Sequence, residues 1–265
     1  MFRILVLEMR NLLFIILFLS QITTAQEWRL QESVPLRADT FVGVDSYKYL
    51  YWVKDNVLYK RDGKSTHSFN NKLLGNIRSV DITNPFTVLV FYYQAQVVVV
   101  LDNKLNEIER VDFSEMSDFM QVATVGNAGS KRLWIGNTAS QRLELFDYKS
   151  ISQEALSSSF SGDILEQVSN YNHCFIRTPN HIYLYNSYGS VLQKLAAKDY
   201  DRMFAAHNGV VLQKGEEWFY WHKDILEPKP LTINLDGIGV RNLIYGRQYT
   251  YVFDGKLLHM YIAEK

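Results

Sequence analysis

The sequence predicts an all-β protein, a six-bladed β-propeller of four-stranded antiparallel blades, on three observations. First, one segment type recurs six times: "NVLYKRD" from Asn56, "QVVVVLD" from Gln96, "QRLELFD" from Gln141, "NHIYLYN" from Asn180, "EEWFYWH" from Glu216 and "KLLHMYI" from Lys256, at intervals of 40, 45, 39, 36 and 40 residues. Second, its third residue is always large and apolar (Leu58, Val98, Leu143, Ile182, Trp218, Leu258), and its fifth is apolar or aromatic except at Lys60. That alternation is the period-2 burial of a strand. Third, three further strand-like stretches surround each occurrence, and four strands in about 40 residues mark a propeller blade. A β-sandwich or an up-and-down barrel also needs many short strands, but neither requires six-fold self-similarity.

The chain opens with Arg3 and Arg10 ahead of the apolar run "LLFIILFL", Leu12 to Leu19, and the small-residue site Thr23-Thr24-Ala25. This arrangement predicts a secretory signal, residues 1–25, cleaved after Ala25, with Met9 as an alternative start. An uncleaved anchor is the competing reading, although the run falls short of the roughly 20 residues that span a bilayer. No membrane span is expected once the signal is removed. Residues 26–265 are expected to form a single propeller domain in the periplasm or outside the cell.

At roughly 40 residues per blade, the remainder makes six blades. "EWRLQESV", Glu27 to Val34, precedes the first full unit, and the last unit stops one strand short after "RNLIYG", "QYTYVF" and "KLLHMYIA". Pairing the N-terminal and C-terminal strands would close the ring and bury the two edges that an open ring would leave. The second unit reads "RSVDIT", "TVLVFYY", "QVVVVLD" and "EIERVDF", with Val97 to Val100 forming an inner strand covered on both faces. "GNAGSKR", 126–132, reads as a long hairpin loop that lengthens the third unit. In the fourth unit, "EQVSNY", "HCFIRT", "HIYLYN" and "SVLQKL", His173 and His181 fall on adjacent strands where they could approach each other. Asp62, Asp102, Asp147 and Asn186 end four of the recurring segments, where an Asx side chain starts a turn.

Gly-His and Trp-Asp pairs, the kelch Gly-Gly and the Asp-box are all absent, and "YLYWVKDNVLYKRDG" has Val53-Lys54 where a Tyr-Trp-Thr-Asp repeat carries Thr-Asp. The short signal ending in Ala-Gln, with "YLYWVKDNVLYK", "LGNIRSVDITNPFTVLVFYY" and "VVVVLDNKLNEIERV", resembles uncharacterised secreted β-propeller proteins of the Bacteroidota. The resemblance spans the mature chain and is best over the first two blades. It implies no established activity and no catalytic residues.

Charge and composition narrow the chemistry. The 28 Lys+Arg balance 28 Asp+Glu with no basic block, which argues against nucleic acid as a partner. Cys174 is the only cysteine, so no intrachain disulfide forms, and within an apolar strand it reads as a small hydrophobe rather than a nucleophile paired with His173. His67, His173, His181, His207, His222 and His259 show no metal-ligand spacing, so no metal or other cofactor is expected. Asp45 and Asp81 occupy matching places in the first two blades. They could be the paired acids of a glycosidase, but serve as readily as turn-formers. No catalytic residue is assigned.

The candidate site is therefore the loop end of the ring. "PLRADT", "LLGNIR", "SEMSD", "AKDYDR" and "LDGIGVR" enter the first strands of successive blades, and they carry Arg37, Arg78, Asp118, Tyr200, Arg202 and Arg241. Arginine and tyrosine suit recognition surfaces, because the guanidinium forks onto carboxylates and the ring supplies rigid contact area. A cationic rim is expected there. It would serve a non-catalytic binding or scaffold role toward a protein or glycan of the cell envelope, with the chain a monomer or part of a hetero-complex. The alternative is a glycan lyase or hydrolase using scattered acids and His207 near the channel.

Overall fold

The structure is a computed structural model describing residues 28–116 and 120–264; the signal segment, Glu27 and Asp118 lie outside the described residues. Strand β1 (Trp28–Pro35) precedes a four-stranded sheet of β2 (Thr40–Val44), β3 (Leu50–Lys54), β4 (Val57–Asp62) and β5 (Ser65–Phe69). The second sheet holds β6 (Ser79–Asp81), β7 (Val88–Tyr92), β8 (Val97–Leu101) and β9 (Glu107–Asp112). The third holds β10 (Val122–Asn127), β11 (Arg132–Asn137), β12 (Arg142–Asp147) and β13 (Ser152–Leu156). The fourth holds β14 (Glu166–Ser169), β15 (His173–Arg177), β16 (His181–Asn186) and β17 (Val191–Ala196). The last strands are β18 (Arg202–Ala206), β19 (Gly209–Lys214), β20 (Glu217–His222), β21 (Lys229–Pro230), β22 (Asn242–Tyr245), β23 (Tyr249–Phe253) and β24 (Leu257–Ala263). With β1 they make one eight-stranded sheet, ordered β1-β24-β23-β22-β18-β19-β20-β21. No helix among the described residues is long and apolar enough to cross a membrane.

The expected six separate four-stranded sheets are thus four, plus one of eight. The cause lies between β18 and β22, which pair in parallel at Ala205↔Ile244 and Ala206↔Tyr245. Alanine side chains let the two backbones approach to bonding distance, and the His207 amide adds a 2.7 Å bond to the Tyr245 carbonyl. At one edge of this sheet β1 pairs with β24. That strand runs Trp28–Pro35, one residue later than the sequence suggested at its C-terminal end.

First strands lie side by side around a common axis. β6 neighbours β10, β10 neighbours β14, β14 neighbours β18, β18 neighbours β22, and β22 neighbours β2. Gly43 of β2 packs closely, because a Cβ there would sit 2.9 Å from Ile244 of β22 and 3.0 Å from Ile82, just past β6. Packing is as close at Gly126, where a Cβ would fall 2.1 Å from Ser169 Oγ of β14.

The core is divided among the gaps between sheet faces, and six apolar clusters fill them. One joins Phe204, Val211 and Trp218 to Leu243, Val252 and Tyr261, so the two halves of the eight-stranded sheet pack face to face. β8 shows why four valines run together. Val98 and Val100 pack toward the third sheet, while Val97, Val99 and Leu101 pack toward the first. Lys60 breaks the apolar pattern in sequence but not in burial. It is 2% exposed, its Nζ donates to the Asn103 carbonyl at 2.6 Å, and Tyr49 and Tyr51 place their rings 4.9 and 5.3 Å from the charge. The stem fills the core while the ammonium finds a carbonyl and two π faces.

Turn chemistry repeats with the strands. Asp102, Asp147 and Asn186 each accept the amide two residues on, at 2.8, 2.7 and 3.0 Å, whereas Asp62 pairs with His67. In β20 the equivalent His222 takes this role, accepting the Asp224 amide on Nδ1 at 3.2 Å. Asp45 and Asp81 are turn-formers, accepting the amides of Tyr47 and Thr83. Asn127 and Asn170 do the same in the third and fourth sheets, accepting from Gly129 and Asn172. The "GNAGSKR" segment is not a long loop: Gly126 and Asn127 end β10, and Arg132 begins β11. The third unit's extra length comes from the six-residue strands β9, β10 and β11 and from the turn Asp102–Asn106. His173 and His181 do not meet, since His173 pairs with Asn186 at the last residue of β16 whereas His181 is its first.

Candidate functional site

Antiparallel pairing sorts the connections into two ends. The entries to first strands and the turns between second and third strands share one end, and the remaining turns share the other. Arg37, Arg78, Tyr200, Arg202 and Arg241 lie on entry segments or at the start of a first strand, and so belong to the first end.

The structure separates these residues by role. Arg202 is half-buried, donating to the carbonyls of Val240 at 3.0 Å and Arg241 at 2.7 Å, with its guanidinium 4.4 Å from the Phe204 ring centroid. It fastens the approach to β22 and is not available to a partner. Tyr200 packs edge-on against Phe219 at 5.8 Å in the core between the fourth and last sheets, and burial raises its phenol above the ordinary value. Arg37, Arg78 and Arg241 stand exposed.

The cationic rim is corrected to a mixed one. Asp39 accepts from Lys54 Nζ at 2.9 Å and the Asp55 amide at 2.7 Å, and these bonds, Lys54 first, hold its carboxyl below the usual range. Glu166 accepts from Arg177 at 2.6 Å and from the Met203 amide at 2.7 Å, tying β14 to β18. Asp201 accepts the Gly215 amide. Glu166 stitches one sheet to the next, Asp39 and Asp201 tie strands of their own units, and all three offset the arginines. Between them opens a groove of about 730 Å³ with Asn76, Arg78, Tyr93, Gln94, Gln121 and Asp163 on its walls.

The opposite end holds a cleft that the sequence did not single out. About 780 Å³ lies between the β14–β15 turn and β18–β20, and His173, His207, His222, Tyr220, Asp224 and Arg247 all line it. His207, weighed as a channel residue, therefore lies away from the arginine loops. Burial lowers the His173 imidazole, aided by the Lys223 charge, and burial with Arg247 lowers His207. Tyr220 already donates its hydroxyl to the His207 carbonyl at 2.6 Å, and Asp224 is paired with Lys223 at 2.5 Å. His222 Nδ1 lies 3.6 Å from Asp224 Oδ2, so acid, imidazole and phenol meet in this cleft. Cys174 is buried, and burial pushes its thiol well up, which suits an inert hydrophobe. Among the described residues no group of three or more His, Cys, Asp or Glu is placed to hold a metal ion.

No family model matches the chain, and no curated protein matches it. In fold it is similar to the β-propeller domain of Cps50 (Swd1) from Myceliophteria thermophila, at 10% identity and a TM-score of 0.60, over 89% of this chain and 100% of that one. It is also similar to a chain of the mitotic checkpoint complex, at 8% identity and a TM-score of 0.56, over 89% of this chain and 95% of that one. These likenesses establish the fold as an all-β propeller.

Proposed function

We propose that this protein is a non-catalytic binding platform for a protein partner, exported after removal of residues 1–25 and working in the periplasm or outside the cell. The eight-stranded sheet counts as two blades, because its halves face each other across an apolar gap, and β1 on β24 closes a ring of six. The observation that carries the reading is the groove where Arg78 and Tyr93 stand exposed on loops of a bonded scaffold. Arginine and tyrosine are the residues that anchor interfaces, and a rigid frame lowers the entropy lost on docking. Arg37 and Arg241 extend the surface. A glycan-cleaving enzyme would instead need free acid and base groups, and in the His207 cleft Tyr220 and Asp224 are already engaged.

The test is affinity capture from envelope extracts of the producing cells, with the parent and an Arg37→Ala/Arg78→Ala/Arg241→Ala variant. A specific protein retained by the parent and lost from the variant, at unchanged melting temperature, supports the reading. Equal capture by both overturns it.

A further inference from the structure

The end of the ring away from the arginine loops is tipped with apolar side chains. Tyr47 on the β2–β3 turn, Phe86 on β6–β7, Ile151 on β12–β13, Tyr188 on β16–β17 and Leu226 on β20–β21 are each more than half exposed. The first four sheets and the eight-stranded sheet thus contribute one apiece. Among the described residues, Leu73 is the only large apolar side chain so exposed on the connections of the arginine end. Lys48, Lys64, Lys104 and Lys131 also stand exposed on turns beside the tips. Asp45, Asp81, Asp102 and Asp147 at this end fold back onto turn amides instead.

The chain enters the propeller from the same side. β1 runs antiparallel to β24, with Pro35 opposite Leu257 and Trp28 opposite Ala263. Leu257 follows the β23–β24 turn of the arginine end, so Trp28 lies at the far end. The segment before Trp28 carries the apolar run Leu12 to Leu19, and it joins the fold there.

A protein interface gathers its apolar groups into one buried core inside a polar rim. These tips are dispersed, each on a different sheet, and only Tyr47 and Phe86 meet, edge-on at 5.8 Å. A bilayer surface suits dispersed tips, because each side chain inserts by itself. Tyrosine settles at headgroup level, and lysine reaches the phosphates along its apolar stem. We propose that this end of the ring rests on a bilayer surface, a peripheral contact made by the turn side chains. The arginine end then faces away from the membrane, open to the protein partner. Because the two surfaces occupy opposite ends, failure of this contact leaves the protein-binding reading standing.

Vesicle flotation of the full-length protein tests it, with vesicles of phosphatidylethanolamine and phosphatidylglycerol in equal parts, and of phosphatidylcholine alone. The parent is expected to float with the first and about fivefold more weakly with the second, which offers the lysines no net anionic surface. Phe86→Ser/Tyr188→Ser/Leu226→Ser should lower binding about tenfold at unchanged melting temperature, since three inserted apolar groups are lost. Lys48→Gln/Lys64→Gln/Lys104→Gln/Lys131→Gln should erase the preference for the anionic vesicles, while the arginine-loop triple variant should float as the parent does. Every variant keeps the apolar run Leu12 to Leu19, so its own affinity for lipid cancels in the comparison. The proposal is overturned if the parent floats with neither vesicle or if the tip variant floats as the parent does. It is also overturned if sedimentation without lipid shows a dimer that the tip variant abolishes, which would assign the tips to a second copy of the chain.

Discussion

Ser33 Oγ lies 2.8 Å from His259 Nδ1, joining residues 226 positions apart on the first and last strands of the described chain. His259 in turn reaches Asp254 Oδ2 at 3.2 Å, which keys β1 to the β23–β24 turn as well as to β24. Deleting residues 28–35 removes this seam and bares the edge of β24. In an assembly whose units contact only their neighbours, the melting temperature should fall by roughly 10 °C or more. Calorimetry decides, and an unchanged transition would show that β1 is dispensable.

Lys60 offers a sharper comparison. Lys60→Ala should cost about 2–4 kcal/mol, because it opens a cavity between the first two sheets and strands the Asn103 carbonyl. Lys60→Met keeps the stem volume and should cost less. Urea denaturation of both separates packing from charge, and equal losses would assign the whole effect to the ammonium.

Asp45 is buried and accepts the amides of Tyr47 and Tyr49, both at 2.9 Å, and the Tyr51 hydroxyl at 3.0 Å. Asp45→Ala should destabilise the protein by about 2–3 kcal/mol by leaving these donors unpaired. Asp45→Asn should cost about 1 kcal/mol, because an amide oxygen still accepts the turn amides. Asn127 and Asn170 already do this in two other sheets, so an equally severe Asn variant would contradict the shared turn role.

Acid should destabilise the fold in two stages. His173 and His207 bind protons less readily folded than unfolded, so protonation favours the unfolded chain. Stability from this pair is complete above about pH 6.5 and declines as pH falls below it. Asp39 and Asp147, held low by hydrogen bonds from Lys54 and the Ser150 amide respectively, lose their contribution only below the ordinary carboxylate range. Asp81 opposes them, because burial raises its carboxyl and its protonation favours the folded chain. A His173→Asn/His207→Asn variant should flatten the decline between pH 7 and 5 in denaturation curves and leave the more acid stage in place.

Strands were legible in the sequence where both faces of a sheet are covered. Val97 to Leu101 and the paired positions Leu143 and Leu145 announce themselves, because packing between two neighbours demands apolar residues on both faces. The fate of charged residues was not legible, because their partners are distant in sequence. Arg202 bonds carbonyls 38 and 39 residues away, and Lys60 a carbonyl 43 away. Asn127 and Asn170 carry no charge to match them with Asp45 and Asp81, although their side chains perform the same turn chemistry. The cleft histidines come from the start of β15, the β18–β19 turn and the end of β20, and no local spacing links His173, His207 and His222.

The bonding between β18 and β22 also bears on how the ring breathes. Elsewhere, neighbouring sheets meet mainly through side chains, and such joints can shear by small amounts without breaking a ladder. Between β18 and β22 the backbones themselves are bonded at two residue pairs, so these two halves should shear less against each other than the other neighbouring sheets do. Amide protons of Ala205, Ala206 and Ile244 should then exchange with solvent in step, since neither half can open while the other stays shut. The eight-stranded sheet forms one wall of the histidine cleft, and the fourth sheet, itself packed against the third, forms the other. The width of that cleft should therefore depend on the joint between these two walls, which Glu166, Arg177 and the Met203 amide span.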